Sequence, residues 1–518
     1  MAVPPPSGRV DAMIDARPLM LAKRRFADGW DMPITVVSGL PMHVLIVGGG
    51  PVGLTTSIAL SSVGVSNTVV EKSTDVYGLP RAIVMDAEIR HALTRTGLAR
   101  QLDEVLQPML AADFVDASGN RLTGIDLRDV ELLGCPAVSK HFQPLLDATL
   151  RTQAERRGAH MRVGREVVDH REDSDHVELV LDDAAVLRGD FLVACDGASS
   201  RTRKAAGIPL DDLGFDQDWL VVDVELADRE RSGLPDVTRQ VCDPHRPTTL
   251  VSGFRNYYRF EFQLQPNEDP ATMIAESRVR DLLAPWVAPS DARIVRTATY
   301  RFHAVVAQRL RNGRVLLAGD AAHQMPPFMG QGLNSGMRDA FNLAWKLAYV
   351  ARGWSTAELL DTYDTERRAN VRSVVEQSID TGRLIDQFAG RVSHGVSREA
   401  GYGGSRRARG YDEGVLVPGG EAVGTPYSQW HSIESRDPLE FVVLSDRACD
   451  VSGLLGDVPV RCVQTDRMRT MNHDIVVVRP DGYVAACCAH PELPGVMDAL
   501  RVELCLSGDG ASATGRVR

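Results

Sequence analysis

The sequence lacks a long hydrophobic run and an excess of positive charge. No stretch of roughly 18 uninterrupted apolar residues occurs, so a membrane-spanning helix is not predicted. The 518 residues include 58 Lys and Arg against 69 Asp and Glu, and the net charge of −11 does not favour binding to nucleic acid or to an anionic membrane. Hydrophobic residues make up 44% of the chain, which is typical of a globular protein. The length predicts roughly two to four domains.

Patterns for metal binding and for disulfides are also missing. The eight cysteines are scattered, without a CxxC motif or a Cys and His pair at zinc spacing, so we predict reduced thiols and no metal site. Residues 1–41 contain no apolar segment of a secretory signal, and we interpret them as a disordered extension or a mis-assigned start. The cytoplasm is the predicted location.

The first clear motif is a strand followed by a glycine loop and a helix. A buried strand is predicted from His43 to Val47, a helix from the loop to about Val63, and a second strand from Thr68 to Val70. The GxGxxG spacing permits a tight turn, lets backbone N–H groups approach a pyrophosphate, and lets the helix press on the sheet. An acidic residue at the end of the second strand would accept hydrogen bonds from ribose hydroxyls. The alternative is a glycine turn without a ligand, and the motif does not distinguish NAD from FAD. The residues predicted to bind the dinucleotide here are Gly48, Gly50, Pro51, Val52, Gly53, Glu71 and Lys72.

Two later segments repeat the pattern of a strand that ends near an acidic residue. The strand in FLVACDGASS ends at Asp196, which could contact a nucleotide or form an Asp-Gly turn capped by Ser200. In RVLLAGDAAHQMPPFMGQGLNSG an apolar run stops before Asp320, whose carboxylate is suited to accept hydrogen bonds from ribityl hydroxyls. The helix that follows would point its free N–H groups at a flavin; the alternative is a capped helix preceded by a loop. The residues predicted to lie against the ligand are Gly319, Asp320, Pro327, Gly330, Gly332, Leu333 and Asn334.

These three motifs, in this order, resemble the single-component FAD-dependent aromatic hydroxylases of the p-hydroxybenzoate hydroxylase fold. The chain looks most like the branch of 3-(3-hydroxyphenyl)propionate hydroxylases and related polyketide hydroxylases, over residues 42–384. The segments LPRAIVMDAEI and HFQPLLDATLR are part of the resemblance. The resemblance implies that Arg81 and Gln143 in these segments face the ribityl chain of the flavin.

The resemblance also implies a domain organisation of the α/β class. A Rossmann-like (GR2-type) FAD-binding domain would comprise residues 42–215 and 300–390, with an inserted, mostly antiparallel substrate-binding sheet at 216–299. A linker at 391–415 would lead to a thioredoxin-like domain at 416–518, which lacks CxxC and so reads as a packing or dimerisation module. A homodimer is possible.

The activity implied by the resemblance is hydroxylation of a small phenolic or other aromatic substrate. Non-covalently bound FAD would be reduced by NADH or NADPH, react with O₂, and transfer one oxygen atom through a hydroperoxide. No second GxGxxG follows a strand, and the family binds its nicotinamide cofactor transiently without a second Rossmann domain. One alternative is epoxidation or Baeyer–Villiger oxidation of an aromatic polyketide. Another is a non-catalytic flavin-binding interaction protein. The WxWxIP signature of flavin halogenases is absent.

Candidate substrate contacts lie in the strand pattern YYRFEFQL. Alternation puts Tyr258 on one face with two phenylalanines, and puts Arg259 on the other face with Tyr257 and Glu261. Tyr258 could bond a phenol oxygen and Arg259 could hold a carboxylate, or the aromatic row could be sheet core. Three histidines are possible proton acceptors, with His323 nearest the flavin loop, but each is more often structural and none is assigned as a catalytic base. These histidines are His245, His303 and His323.

Overall fold

The computed structural model describes residues 42–392, 410–433, 437–466 and 473–507. The predicted extension at 1–41 and most of the predicted linker lie outside the described residues.

The described residues before Leu210 contain helices between groups of short strands, and the long strands β15 (Leu210–Leu226) and β19 (Ala292–Ala307) follow. The strands are β1 His43–Val47, β2 Ser66–Glu71, β3 Val84–Asp86, β4 Leu106–Pro108, β5 Ala111–Asp116, β6 Arg121–Asp126, β7 Glu131–Leu132, β8 Cys135–Pro136, β9 Val138–His141, β10 His160–Val163, β11 Val167–Glu172, β12 Val177–Leu181, β13 Val186–Gly189, β14 Phe191–Ala194, β15 Leu210–Leu226, β16 Thr238–Cys242, β17 Thr248–Ser252, β18 Tyr257–Gln263, β19 Ala292–Ala307, β20 Arg311–Asn312, β21 Val315–Leu317, β22 His323–Gln324, β23 Phe441–Ser445, β24 Val460–Gln464, β25 Ile475–Val478 and β26 Val484–Cys488. The α-helices are α1 Pro51–Ser62, α2 Ala87–Leu93, α3 Ala99–Val105, α4 Gln143–Arg156, α5 Arg201–Ala205, α6 Pro270–Met273, α7 Glu276–Leu283, α8 Gly332–Ala351, α9 Asp361–Phe388 and α10 Leu493–Glu503. No helix among the described residues is both long and apolar enough to cross a membrane.

The first sheet has the strand order β10-β2-β1-β14-β21-β20 and is parallel except for β20. Its central strands β1, β14 and β21 are almost wholly buried, which explains why they appear in the sequence as continuous apolar runs. Helices α1 and α8 pack against each other beside this sheet. The predicted strand, helix and strand at the N-terminal end are confirmed, with β2 extending two residues before the predicted start.

The second sheet is built on two long antiparallel strands, β15 and β19. Its order is β22-β19-β15-β18-β17-β16-β5-β6, so it includes strands from outside residues 216–299. Strand β5 pairs in parallel with β16, more than 100 residues later in the chain. One face of the sheet is an apolar cluster that contains Tyr258, Phe260 and Phe262 and is covered by α6 and α7. The opposite face contacts the loop that contains Arg81, through Arg259, and the ring of Phe328, through Trp219.

A third sheet, with the order β24-β23-β25-β26, and helix α10 form the C-terminal part. Strands β25 and β26 form a hairpin with its turn at Asp481-Gly482, and α10 follows them. Cys487 and Cys488 pack into different apolar clusters, as expected for neighbours that point to opposite faces of a strand.

Candidate functional site

Three loops that are far apart in the sequence leave the first sheet at one edge. In the sheet register, Val47 of β1 pairs with Ala194 of β14, which in turn pairs with Leu317 of β21. The carboxyl ends of these parallel strands therefore lie side by side, and the loops at 48–53, 195–200 and 318–332 open from the same edge. In an open α/β sheet this edge is where ligands bind.

The glycines of the first loop divide into two kinds. Gly48 has φ +107°, and a Cβ on Gly53 would lie 2.0 Å from the Gly48 carbonyl oxygen, so these two glycines permit close packing of the chain on itself. Gly50 has extended backbone, and a Cβ there would meet no atom of the described residues within 4 Å. The protein's own packing thus does not require glycine at position 50. Open space beside the N-terminus of α1 fits the close approach of a pyrophosphate.

Glu71 lies at the end of β2, next to the same loop. Its carboxylate accepts hydrogen bonds from the backbone N–H groups of Gly49 (2.6 Å) and Ser73 (2.8 Å). Each carboxylate oxygen keeps a second lone pair with which it could accept a ribose hydroxyl. Lys72 is exposed beside it.

We call the space between the third loop and the loop that contains Arg81 the recess, and Asp320 lies beside it. Its side chain keeps an exposed surface, although the surrounding protein desolvates the carboxyl and raises its pKa. His323 and Arg81 are close enough to oppose this rise in pKa. A recessed carboxylate that faces Arg81 suits the polar chain of a flavin.

The start of α8 is held by the side chain of Asn334, a residue predicted from the sequence to lie against the ligand. The helix begins at Gly332. Asn334 accepts a hydrogen bond from the Asp86 N–H (3.0 Å) and donates one to the Gly330 carbonyl (2.8 Å). Gly330 has φ +65°, and a Cβ there would lie 2.3 Å from Val84. The side chain of Asn334 therefore fixes the loop, while the first N–H groups of α8 are left without intrahelical acceptors.

The opposite wall of the recess is the loop that contains Arg81. The side-chain oxygen of Gln143 accepts the N–H groups of Arg81 (3.2 Å) and Ala82 (2.7 Å), and its amide donates to Asp147 (3.2 Å). The Arg81 guanidinium lies 4.3 Å over the ring of Tyr77. Gln143 thus positions the backbone that presents Arg81.

The contacts of Asp196 are those of a capped turn. It accepts hydrogen bonds from the Ser200 hydroxyl (2.5 Å) and the Thr202 N–H (3.1 Å), and Ser200 caps α5 by accepting the Arg203 N–H (2.9 Å). The alternative predicted for this segment, an Asp-Gly turn capped by Ser200, therefore describes its local structure. The turn nevertheless lies at the same sheet edge as the other two loops.

The predicted substrate contacts do not gather at one point. Tyr258 is 1% exposed within the apolar cluster, and its hydroxyl donates to the Pro235 carbonyl (3.2 Å), so the sheet-core alternative describes it. Arg259 binds Asp223 (2.7 Å) and donates to the Arg81 carbonyl (2.6 Å), which joins the second sheet to the Arg81 loop.

The three histidines are also separated from one another. His323 is wholly buried and contacts Asp339 (2.8 Å), which also binds Arg367 (2.8 Å). These contacts give His323 a structural role beneath the third loop. His245 and His303 are exposed on the surface.

Sequence reasoning gave no role to Glu261, which lies on the same strand face as Arg259. Burial raises the pKa of Glu261 to about 7; Arg259 opposes the rise and Asp223 adds to it. The sequence signal was a single acidic residue inside an otherwise apolar stretch, FEF. Such a residue could equally have faced solvent, and only the tertiary structure shows that it is buried.

Comparisons with known proteins agree with this geometry. The family model described as "FAD binding domain" matches residues 41–378. A probable NADH-specific resorcinol 4-hydroxylase from Rhodococcus jostii is 37% identical over 66% of this chain and 65% of its own length. A 3-(3-hydroxyphenyl)propionate/3-hydroxycinnamic acid hydroxylase from Mycolicibacterium smegmatis is 36% identical over 68% of this chain and 63% of its own length.

The fold is also that of a solved flavoprotein. The crystal structure of aklavinone-11 hydroxylase with FAD and aklavinone matches with a TM-score of 0.75 and 24% identity, over 89% of this chain and 99% of that one. The chain spans slightly less than two thirds of the length of the curated relatives it matches. The family resemblance predicted from the three motifs is confirmed. The chain belongs to the FAD binding domain family.

Proposed function

We propose that the protein is an FAD-dependent, NAD(P)H-consuming monooxygenase that hydroxylates a small phenolic substrate. The observation that carries this proposal is the convergence of three loops at one sheet edge, opposite the polar face of a second sheet. The names of the curated relatives, which act on resorcinol and on 3-(3-hydroxyphenyl)propionate, support a phenolic substrate. The NADH-specific name of the first relative favours NADH over NADPH as the electron donor.

The FAD would be held non-covalently along the recess between the loops. The adenylate part fits the first loop, with open space at Gly50 and the carboxylate of Glu71 nearby. The ribityl chain fits between Asp320 and the Arg81 loop that Gln143 orients. When bound, FAD supplies the transfer of two electrons from NAD(P)H and of one oxygen atom from O₂. The proposed cofactor contacts are the residues assigned from the sequence: Gly48, Gly50, Pro51, Val52, Gly53, Glu71, Lys72, Arg81, Gln143, Asp196, Gly319, Asp320, Pro327, Gly330, Gly332, Leu333 and Asn334.

The chain's own contribution is electrostatic and steric. The N-terminus of α8 would stabilise negative charge on the pyrimidine edge of a reduced flavin. Helix α9 packs tightly over the third loop. A Cβ on Gly382 would lie only 2.7 Å from the Phe328 ring, so the helix approaches the loop more closely than another residue would allow. Phe328 in turn packs on Trp219 of the second sheet (5.4 Å between ring centroids). This aromatic contact would exclude water from the side of the pocket next to the flavin.

The finer domain assignment is part of the same proposal. Residues 42–215 and 300–390 would form the FAD-binding domain and 216–299 most of the substrate-binding sheet, to which β5, β6 and β22 add three strands. The sheet of β23 to β26 with α10 supports a thioredoxin-like module, and its sequence has no CxxC for dithiol chemistry. Its role would be packing or dimerisation.

The proposal is tested with the purified full chain loaded with FAD. Resorcinol and 3-(3-hydroxyphenyl)propionate should stimulate NADH oxidation and yield a product heavier by one oxygen atom, whereas 3-phenylpropionate, which lacks the hydroxyl, should not. If an aromatic polyketide is instead converted to an epoxide, or to an ester by Baeyer–Villiger insertion of oxygen, the polyketide alternative is favoured. If none of these compounds stimulates NADH or NADPH oxidation although FAD is bound, the proposal is refuted and a non-catalytic flavin protein is favoured.

A further inference from the structure

We propose that Glu261 accepts the hydrogen bond of the substrate's phenolic hydroxyl and takes up its proton. This inference rests on the proposed function and identifies the group that would convert a phenol into the more electron-rich phenolate.

The position of Glu261 follows from the sheet register. On β18 it pairs with Val221 of β15 and with Thr249 of β17, and its side chain points away from the apolar cluster of Phe260 and Phe262. It therefore lies in the same row as Arg259, on the face that contacts the Arg81 loop and Phe328. This is the face that a substrate next to the flavin would contact.

Glu261 also lies midway between the two loops that form the recess. In β15, Trp219 contacts Phe328 of the third loop, while Asp223, four residues along, binds Arg259, which donates to carbonyls of the Arg81 loop. Val221, the partner of Glu261, lies between these two contacts. One wall of the recess therefore lies on each side of Glu261 along the sheet.

The Glu261 carboxylate is buried and has no hydrogen-bond donor. The residue is 6% exposed, and no described residue donates a hydrogen bond to its side chain. The nearest cation is the Arg259 guanidinium, 3.9 Å away, which is already bound to Asp223 and to two backbone carbonyls. A buried carboxylate without a donor is costly, and a substrate hydroxyl would supply the donor it lacks.

The chemical step is a proton transfer with no change of oxidation state. The phenolic O–H bond breaks, its electron pair stays on the phenolate oxygen, and the proton binds a carboxylate oxygen of Glu261. The charged groups that act on Glu261 are Arg259 on its own strand and Asp223 on β15. Their balance with burial gives the carboxyl a pKa of about 7, which is well matched to accepting a proton near neutral pH.

The test compares Glu261→Gln with the wild type and with a control, Glu225→Gln. Glu225 lies on β15 in a partly exposed ion pair with Arg293, so its loss should leave turnover unchanged. For Glu261→Gln we expect about a 100-fold lower kcat with resorcinol and loss of the ionisation near pH 7 from the pH profile. Equilibrium binding of resorcinol, followed by the flavin absorbance, should weaken about tenfold while the FAD content is unchanged.

Two negative outcomes are distinguishable. If the wild type hydroxylates resorcinol or 3-(3-hydroxyphenyl)propionate and Glu261→Gln keeps the wild-type kcat and pH profile, the role of Glu261 is refuted while the proposed function stands. If no phenol stimulates the wild type, the proposed function fails, and the inference fails with it.

Discussion

Replacing Glu366 with glutamine should strongly destabilise the fold, because this residue is the centre of a buried ionic cluster. Its carboxylate accepts hydrogen bonds from both terminal nitrogens of Arg479 (2.8 and 2.9 Å), from Asn342 (2.7 Å) and from the Val415 N–H (2.9 Å), and it contacts the Lys346 ammonium at 2.9 Å. The side chains of Glu366, Arg479 and Lys346 are all fully buried. The cluster joins α8 and α9 to the C-terminal hairpin.

The size of the effect follows from the pKa of Glu366. Burial alone would raise it, but Arg479 and Lys346 outweigh burial and lower the pKa from 4.5 to about 2. That difference corresponds to about 3 kcal/mol of stability above pH 4.5, the low end of the 3–5 kcal/mol expected when one partner of a buried pair is removed. Lys346 can relieve part of the loss by releasing its proton, since burial lowers its pKa to about 8. Arg479 cannot release its proton, and among the described residues Asp481 would be its remaining counter-ion.

The assay is urea denaturation of the wild type, of Glu366→Gln and of a control, Asp361→Asn. Asp361 begins the same helix in an exposed ion pair with Arg311, and its change should cost less than about 1 kcal/mol. Because the folded-state pKa of Glu366 is depressed, its contribution is complete above pH 4.5 and is lost as the pH falls toward 2. The difference in the free energy of unfolding between the wild type and Glu366→Gln should therefore become smaller as the pH falls from 4.5 toward 2. If Glu366→Gln loses no more unfolding free energy at pH 7 than Asp361→Asn does, the reasoning is refuted.

Three further changes test the site. Gly53→Ala should lower the ratio of FAD to protein after gel filtration, because its Cβ would lie 2.0 Å from the Gly48 carbonyl oxygen; a wild-type ratio would contradict the tight loop. Asp320→Ala should weaken FAD retention without lowering the melting temperature of the FAD-free protein, and unchanged FAD affinity would remove its assigned role. Tyr258→Phe should lower the free energy of unfolding by about 1 kcal/mol through the lost hydrogen bond to the Pro235 carbonyl. It should leave KM and the ratio of product formed to NAD(P)H oxidised unchanged, and a changed ratio would show that Tyr258 contacts the substrate.

The strands and loops of the first sheet were predictable because their signals are local. An apolar run, a glycine spacing and a terminal acid occur together within about 30 residues at β1, and the same logic identifies β14 and β21. Their convergence follows from parallel pairing, which places all carboxyl ends at one edge. By contrast, the addition of β5 to the second sheet depends on its pairing with β16, and no local pattern encodes that partner.

The roles of individual side chains were harder to predict, because alternation defines two faces but does not say which one meets the cofactor. Tyr258 and Arg259 both carry polar groups, so either row of β18 could have faced the cleft. The structure separates them through distant partners, with α6 and α7 over Tyr258 and the Arg81 loop against Arg259. The pairing of His323 with Asp339 is likewise tertiary. A titratable group acquires its role from neighbours that are remote in the sequence.

The C-terminal sheet illustrates the same principle at the scale of a whole module. Its Tyr483 hydroxyl donates to Glu88 (2.6 Å), Glu88 binds Arg338 of α8 (2.8 Å), and Arg338 reaches the side chain of Gln331 (3.1 Å) directly before the start of that helix. Arg338 also pairs with Asp86, whose N–H is bound by Asn334. A buried polar network whose members are paired holds its parts in one arrangement. The C-terminal module, which lacks a dithiol motif, is therefore connected by buried polar contacts to the third loop at the start of α8.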